Sequence, residues 1–270
     1  MIDNTEAMAG YRIRWLSSET PSAVDTALRA GDYDGIGFNP YDGIGLDAHK
    51  GWTGNINEFF SMQLPLKALA LPFADRVGFT SKLIEHQQQQ LEMLLLSEFT
   101  GNVHIESRSL KVLRLLVMPD ITLGSLPMLQ TLYLRESTKD LLCELGVKAS
   151  GLTALELNGG SIESIEGVGA LADLVRVELS NLKKLKTISP LSHCSKLEVL
   201  VIQSVRGLTN LEETLKTLKS LRVLRIIDCG KLDGFDFLDG LKLKEFRCNR
   251  TKVSSRKHPA LARIETVFVG

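Results

Sequence analysis

Leu197-Glu198-Val199-Leu200-Val201-Ile202 is the stretch from which the rest of the chain can be read. Its first, fourth and sixth positions are Leu197, Leu200 and Ile202. The same spacing returns in Leu221–Ile226 (LRVLRI), Leu152–Leu157 (LTALEL), Leu129–Leu134 (LQTLYL) and Leu110–Leu115 (LKVLRL). It returns with substitutions in Leu174–Leu179 (LVRVEL), Leu243–Cys248 (LKEFRC) and Ile264–Val269 (IETVFV). Upstream, Leu91–Leu96 (LEMLLL) and Leu66–Leu71 (LKALAL) complete ten copies, whose first positions lie 19 to 25 residues apart. One match would mean little in a leucine-rich chain. Ten in succession at a near-constant period define a repeat.

Within each copy, positions 4 and 6 alternate with positions 3 and 5, which is the period of a strand with one face buried. The stretch between copies is long enough to carry the chain back, so successive strands run parallel. No copy can bury its leucines alone, and neighbours must stack. The pattern L-x-x-L-x-L at a period of 20 to 29 residues resembles the leucine-rich repeat family, over residues 66–270. The string LKTISPLSHCSKLEVL is similar to the short bacterial subtype. The resemblance implies an α/β solenoid with an open, curved parallel β-sheet on the concave face and short helices, 3-10 turns and loops on the convex face.

The sequence departs from the family pattern at position 9, where Asn or Cys usually stands. Here Cys229 stands in one copy, Ser137 and Thr251 in two others, and Phe99, Met118, Gly160, Leu182 and Val205 elsewhere. Irregular turns are therefore expected. The connecting segments carry their own apolar spacing, Ile162, Ile165, Val168 and Leu171 in one and Leu185, Ile188 and Leu191 in the next. A helical face of Leu211, Leu215 and Leu218 is expected within Leu208–Ser220.

The first 60 residues are read as an N-terminal cap on an array covering 61–270. Tyr11–Leu16 alternates like a strand, and Thr20-Pro21 opens a helix that stops at Gly31. A near-duplication, YDGIGF at 33–38 and YDGIGL at 41–46, flanks Asn39-Pro40. It predicts a hairpin of Ile36–Phe38 and Ile44–Leu46, although the 25-residue offset from Tyr41 to Leu66 also allows the second segment to be a degenerate first repeat. Asn55–Met62 reads as a short helix.

The chain holds 32 Lys and Arg against 32 Asp and Glu. Its overall balance gives no case for nucleic acid or an anionic membrane, though it leaves local patches open. No apolar run approaches the roughly 20 residues that span a bilayer, and Met1–Glu19 lacks the apolar core of a secretory signal. Cys143, Cys194, Cys229 and Cys248 show no paired spacing and read as buried reduced thiols. A cytoplasmic location follows as the expectation.

No catalytic constellation stands out. His49, His86, His104, His193 and His258 are scattered. The Gly-rich Gly35–Gly45 lacks the Lys-Ser/Thr ending of a phosphate loop and the ligand spacing of a calcium loop. The expectation is a non-enzymatic chain without cofactor or metal.

If positions 4 and 6 point inward, positions 3, 5 and 7 point outward. Position 5 then carries Arg114, Tyr133, Glu156, Glu178, Arg225 and Arg247. Position 7 adds Arg135, Asn158 and Asn249, and position 3 adds Arg176. Tyr and Arg are enriched among interface anchors. The expected partner is a protein held on this face, either neutralised as a toxin or enzyme would be by an inhibitor or immunity protein, or gathered into a larger assembly by an adaptor. Glu156 and Glu178 should be ladder neighbours that attract a basic group. The last strand, Ile264–Val269, is expected to be an edge open to self-association unless Arg256–Pro259 or a ligand shields it.

Overall fold

A computed structural model describes residues 10–16, 19–38, 61–62, 64–71, 90–97, 102–116, 121–137 and 139–270. They fall into two compact units, one up to Leu129 and one from Gln130.

The first unit contains β1 (Ile13–Leu16), helix α1 (Pro21–Ala30), β2 (Gly35–Phe38), β3 (Ala68–Leu71), β4 (Met93–Ser97) and β6 (Val112–Leu116). These strands pair side by side, all parallel. A second small sheet pairs β5 (Val103–Ile105) with β7 (Ile121–Leu123), also in parallel. Thr20 caps α1 through its side chain, which accepts from Ala23 N. Gly31 closes the helix in the left-handed region at φ 78°, a conformation open to glycine at little cost. Val24 and Leu28 are the buried side of this turn of chain.

The hairpin expected here does not form around β2. Both of its edges are already used by parallel neighbours, β1 on one side and β3 on the other. The matching Ile44–Leu46 lies outside the described residues, as do nearly all of the Asn55–Met62 helix, His49 and His86.

The second unit contains β8 (Thr131–Ser137), helix α2 (Lys139–Lys148), β9 (Ala154–Gly160), β10 (Arg176–Ser180), β11 (Val199–Gln203), helix α3 (Leu211–Thr217), β12 (Val223–Ile227), β13 (Glu245–Asn249) and β14 (Thr266–Val269). Its seven strands form an open parallel sheet in chain order. Every register aligns the same repeat position, so Leu155, Val177, Leu200, Leu224, Phe246 and Val267 stack at position 4. From Leu155 to Phe246 that row is buried. The return segments are mostly single 3-10 turns, such as Glu166–Ala170 and Ser189–His193. Pro190 lies in the first turn of the second of these, where its missing N–H costs nothing. Ile165, Val168 and Leu171, then Leu185, Ile188 and Leu191, fill the layer behind the sheet. The fold is a leucine-rich-repeat stack.

The turns after the strands are regular, contrary to the expectation from position 9. Position 8 has positive φ in six consecutive copies, at Glu136, Gly159, Asn181, Ser204, Asp228 and Arg250. Gly, Asn and Asp adopt this left-handed conformation most readily. The N–H groups of Asn181, Ser204 and Asp228 then donate to position 7 carbonyls of the next copy, those of Gln203, Ile227 and Asn249. The polar ladder sought at position 9 is replaced by a backbone device one residue earlier. Position 9 itself is buried, with Leu182, Val205, Cys229 and Thr251. Side chains help at the last two of these, where Cys229 Sγ donates to the Ile202 and Ile227 carbonyls, each at 3.4 Å, and Thr251 Oγ1 accepts from Cys229 N at 3.1 Å.

Candidate functional site

The seven-stranded sheet sets a ladder of position 5 residues in register: Tyr133, Glu156, Glu178, Val201, Arg225, Arg247 and Phe268. Glu156 and Glu178 are direct neighbours, as the repeat spacing implied. Arg176, two residues before Glu178 on the same strand, forms an ion pair with it. Val201 then separates this acidic pair from Arg225.

The basic side of the ladder is organised by an acid at position 3. Glu245 Oε1 accepts from Arg225 Nε at 2.8 Å, and its other oxygen from Arg225 Nη2 at 3.3 Å. Arg247 Nε lies 2.8 Å from the same Oε1. The carboxyl of Glu245 is held below its ordinary range, first by the Arg225 hydrogen bond and then by the charge of both arginines. Arg225 is held protonated more firmly, again chiefly by Glu245, with a smaller contribution from Glu178. The two arginines are thus partnered within the sheet rather than left as bare cations. Across positions 3 and 5 of β9 to β13, three arginines stand with three glutamates (Glu156, Glu178 and Glu245), so this face is charged but balanced.

Two residues expected on this face are not available there. Tyr133 is only 2% exposed, and its hydroxyl accepts from Asn158 Nδ2 at 3.3 Å. Asn158 Oδ1 in turn accepts from Asn181 Nδ2 at 3.0 Å. Asn158 therefore ties Tyr133 to the strand-exit turn instead of facing a ligand alone. Arg114, in the first unit, is 9% exposed and aligned with Leu95. Its face is apolar and covered: Tyr11, Ile13 and Trp15 pack against Ala68, Ala70, Met93, Leu95 and Val112. Gly37 permits this, because a Cβ there would come within 2.5 Å of the Trp15 ring. The sequence signal was present in the small residues Gly35, Gly37, Ala68 and Ala70 at positions 3 and 5. Their smallness makes room for a second layer.

Arg135 is exposed at position 7 of β8, and Asn249 is half-buried at position 7 of β13. Asn249 works through its backbone, its carbonyl accepting from Asp228 N and Thr251 Oγ1. Of the last strand, Val267 and Phe268 are 39% and 51% exposed. The Arg256–Pro259 loop does not cover them. His258 instead turns back, accepting from Ala260 N through Nδ1, with Nε2 3.6 Å from Asp236 and 3.8 Å from Asp239.

Cys194, Cys229 and Cys248 are buried free thiols, and burial pushes Cys194 and Cys248 up to about 11. Cys143 departs from the expectation, being exposed on α2. Among the described residues, no group of three or more His, Cys, Asp or Glu is placed to hold a metal ion. No described helix is long and apolar enough to cross a membrane.

Solved structures similar to this chain include an internalin C2 from Listeria monocytogenes, at 20% identity and a TM-score of 0.45, covering 70% of this chain and 84% of that one. An internalin InlF from the same organism matches at 14% identity and a TM-score of 0.30, over 68% of this chain and 82% of that one. No protein-family model matches the sequence. No curated protein matches it. The repeat architecture described above rests on the strand registers themselves. Likenesses this loose transfer no partner or activity.

Proposed function

We propose that this chain is a non-enzymatic protein-interaction module that holds its partner on the outer face of the second unit's sheet. The observation that supports this is the segregation of side chains along β9 to β13. Positions 4 and 6 are apolar and buried, while positions 3 and 5 carry six charged residues. A sheet that serves only stability needs no such array of charged groups held in register. Charged arrays of this kind steer encounter and discriminate between partners more than they add affinity.

Glu156 and Glu178 form the acidic centre that receives a basic group of the partner, and Arg135 on the neighbouring β8 meets an acidic one. Arg225 and Arg247 receive an acidic one, in competition with Glu245. Three buried thiols are compatible with a reducing, cytoplasmic setting. Affinity capture from the source cell with the wild type and with Glu156→Lys/Glu178→Lys, followed by mass spectrometry, tests the reading. A partner held by the wild type and lost from the variant supports it. The same proteins on both overturn it. An inhibitor or immunity role predicts that the captured protein loses an activity on binding, whereas an adaptor leaves that activity intact.

A further inference from the structure

The zero net charge of the chain is a sum of two opposite parts. Residues 1–181 hold 14 Lys and Arg against 23 Asp and Glu, and residues 182–270 hold 18 against 9. Much of the excess lies on one feature of the second unit, the turn that follows each strand.

Positions 10 and 11 of the repeat carry a cation in four consecutive copies. They are Lys183 and Lys184, then Arg206, then Lys231, then Lys252, and all five are exposed. Backbone contacts show that these turns lie directly on one another. A Cβ on Gly207 would meet the Leu185 carbonyl oxygen at 2.9 Å and that of Lys183 at 3.7 Å. One on Gly230 would meet the Arg206 carbonyl oxygen at 2.9 Å. Leu232 N donates to the Lys252 carbonyl at 2.8 Å. The glycines let the turns close up, and the cations line one ridge. Three steps of strand spacing give it a length of roughly 14 Å.

Carboxylates on this flank offset only part of the charge. Arg206 pairs with Asp228 at 2.7 Å, Lys231 with Asp233 at 3.2 Å, and Lys186 with Glu163 at 2.8 Å. Lys183, Lys184 and Lys252 have no carboxylate in salt-bridge range among the described residues. Arg250 adds a further exposed cation at position 8, in the left-handed conformation at φ 51°.

We infer that this ridge binds an extended acidic segment of a protein partner. The inference rests on the interaction-module reading and adds a second contact surface to it. An extended chain advances about 3.3 Å per residue, so about five residues span the ridge, with alternate carboxylates facing it. Positions 10 and 11 of these four copies hold only Lys, Arg, Gly and Val253, with no aromatic side chain. Nucleic acid is disfavoured on that ground, since single strands are gripped by stacking on aromatics.

Fluorescence anisotropy with a labelled poly-glutamate peptide, and separately a labelled oligothymidylate, tests this on the full chain. The peptide is expected to bind at low salt and to weaken as salt rises. Lys183→Glu/Lys184→Glu/Lys252→Glu is expected to weaken it by about tenfold or more, with Lys183→Gln/Lys184→Gln/Lys252→Gln intermediate. All three lysines are exposed, and circular dichroism checks that both variants fold. Lys216→Glu/Lys219→Glu, a charge reversal of exposed lysines elsewhere in the second unit, is expected to keep the peptide affinity, which separates this ridge from net charge. No peptide binding, unchanged affinity in the triple Glu variant, or oligothymidylate bound as tightly as the peptide would each overturn the inference.

Discussion

The two units build the same six-residue ladder and use its outer face in opposite ways. In the first, positions 3 and 5 are Gly, Ala, Met, Leu and Val with the single exception of Arg114, and a layer from Tyr11, Ile13 and Trp15 lies on the apolar ones. In the second, the same positions carry arginines and glutamates over buried leucines. Inward positions decide only that a strand forms. Outward positions decide whether the sheet is sealed or presented.

The comparison breaks most completely where the two units should behave alike. Leu200 is fully buried at position 4 in the middle of the second unit. Leu200→Asp places an unpaired charge in that interior and is expected to abolish cooperative unfolding of the unit, a loss of several kcal/mol, about 4 or more. A wild-type thermal transition by circular dichroism would remove the inward assignment.

A paired exchange at position 5 sharpens the contrast. Ala70→Glu in the first unit is expected to cost about 3 kcal/mol, because the site is buried among apolar residues. Glu178→Leu in the second should stay within about 0.5 kcal/mol, because the site is part-exposed. Chemical denaturation of both variants decides the matter, and equal effects would erase the distinction between sealed and presented faces.

Smaller still is the effect of Thr251→Val, which removes the acceptor of Cys229 N–H in the last turn. A buried donor left unmet is expected to cost about 1 to 2 kcal/mol. Hydrogen exchange at Cys229 should accelerate in that variant, and unchanged protection would mean the backbone device at position 8 holds the turn unaided.

The smallest expected effect concerns pH and the presented face. Glu245 has its folded pKa lowered from 4.5 by Arg225 and Arg247. A lowered carboxyl contributes stability that is present above the unfolded value and lost as pH falls through the folded one. The loss therefore belongs below about pH 4.5, and solvent screening limits it to under about 1 kcal/mol. Denaturation of wild type and Glu245→Gln at neutral and acidic pH should converge as Glu245 titrates. A difference that persists at low pH would assign the effect to packing.

The strand ladder was legible in the sequence because it is written in side chains of one type at a fixed spacing. All ten copies form strands beginning at position 3. The α1 caps were equally legible in Thr20, Pro21 and Gly31. The α3 helix is shorter than the expected Leu208–Ser220, running from Leu211 to Thr217. The β5–β7 sheet and α2 were not anticipated, since their apolar residues lack the repeat's signature. The site was half legible. Repeat position placed Glu156 beside Glu178, but pairing across strands depends on side-chain reach, so the bridging of Arg225 and Arg247 by Glu245 was missed. Position cannot reveal cover either, which is why Tyr133 and Arg114 were misread as presented.

The left-handed residue after each strand has a consequence for how such a chain can be rewritten. It ends six of the seven strands of the second unit, β8 to β13, in the same backbone conformation. A cut placed just after Asn181 therefore matches one placed just after Ser204. Excising the segment between them joins two turns of the same form, and duplicating it inserts one more strand in register. The unit is editable in whole repeats, and the strands on either side of the junction need no re-aiming.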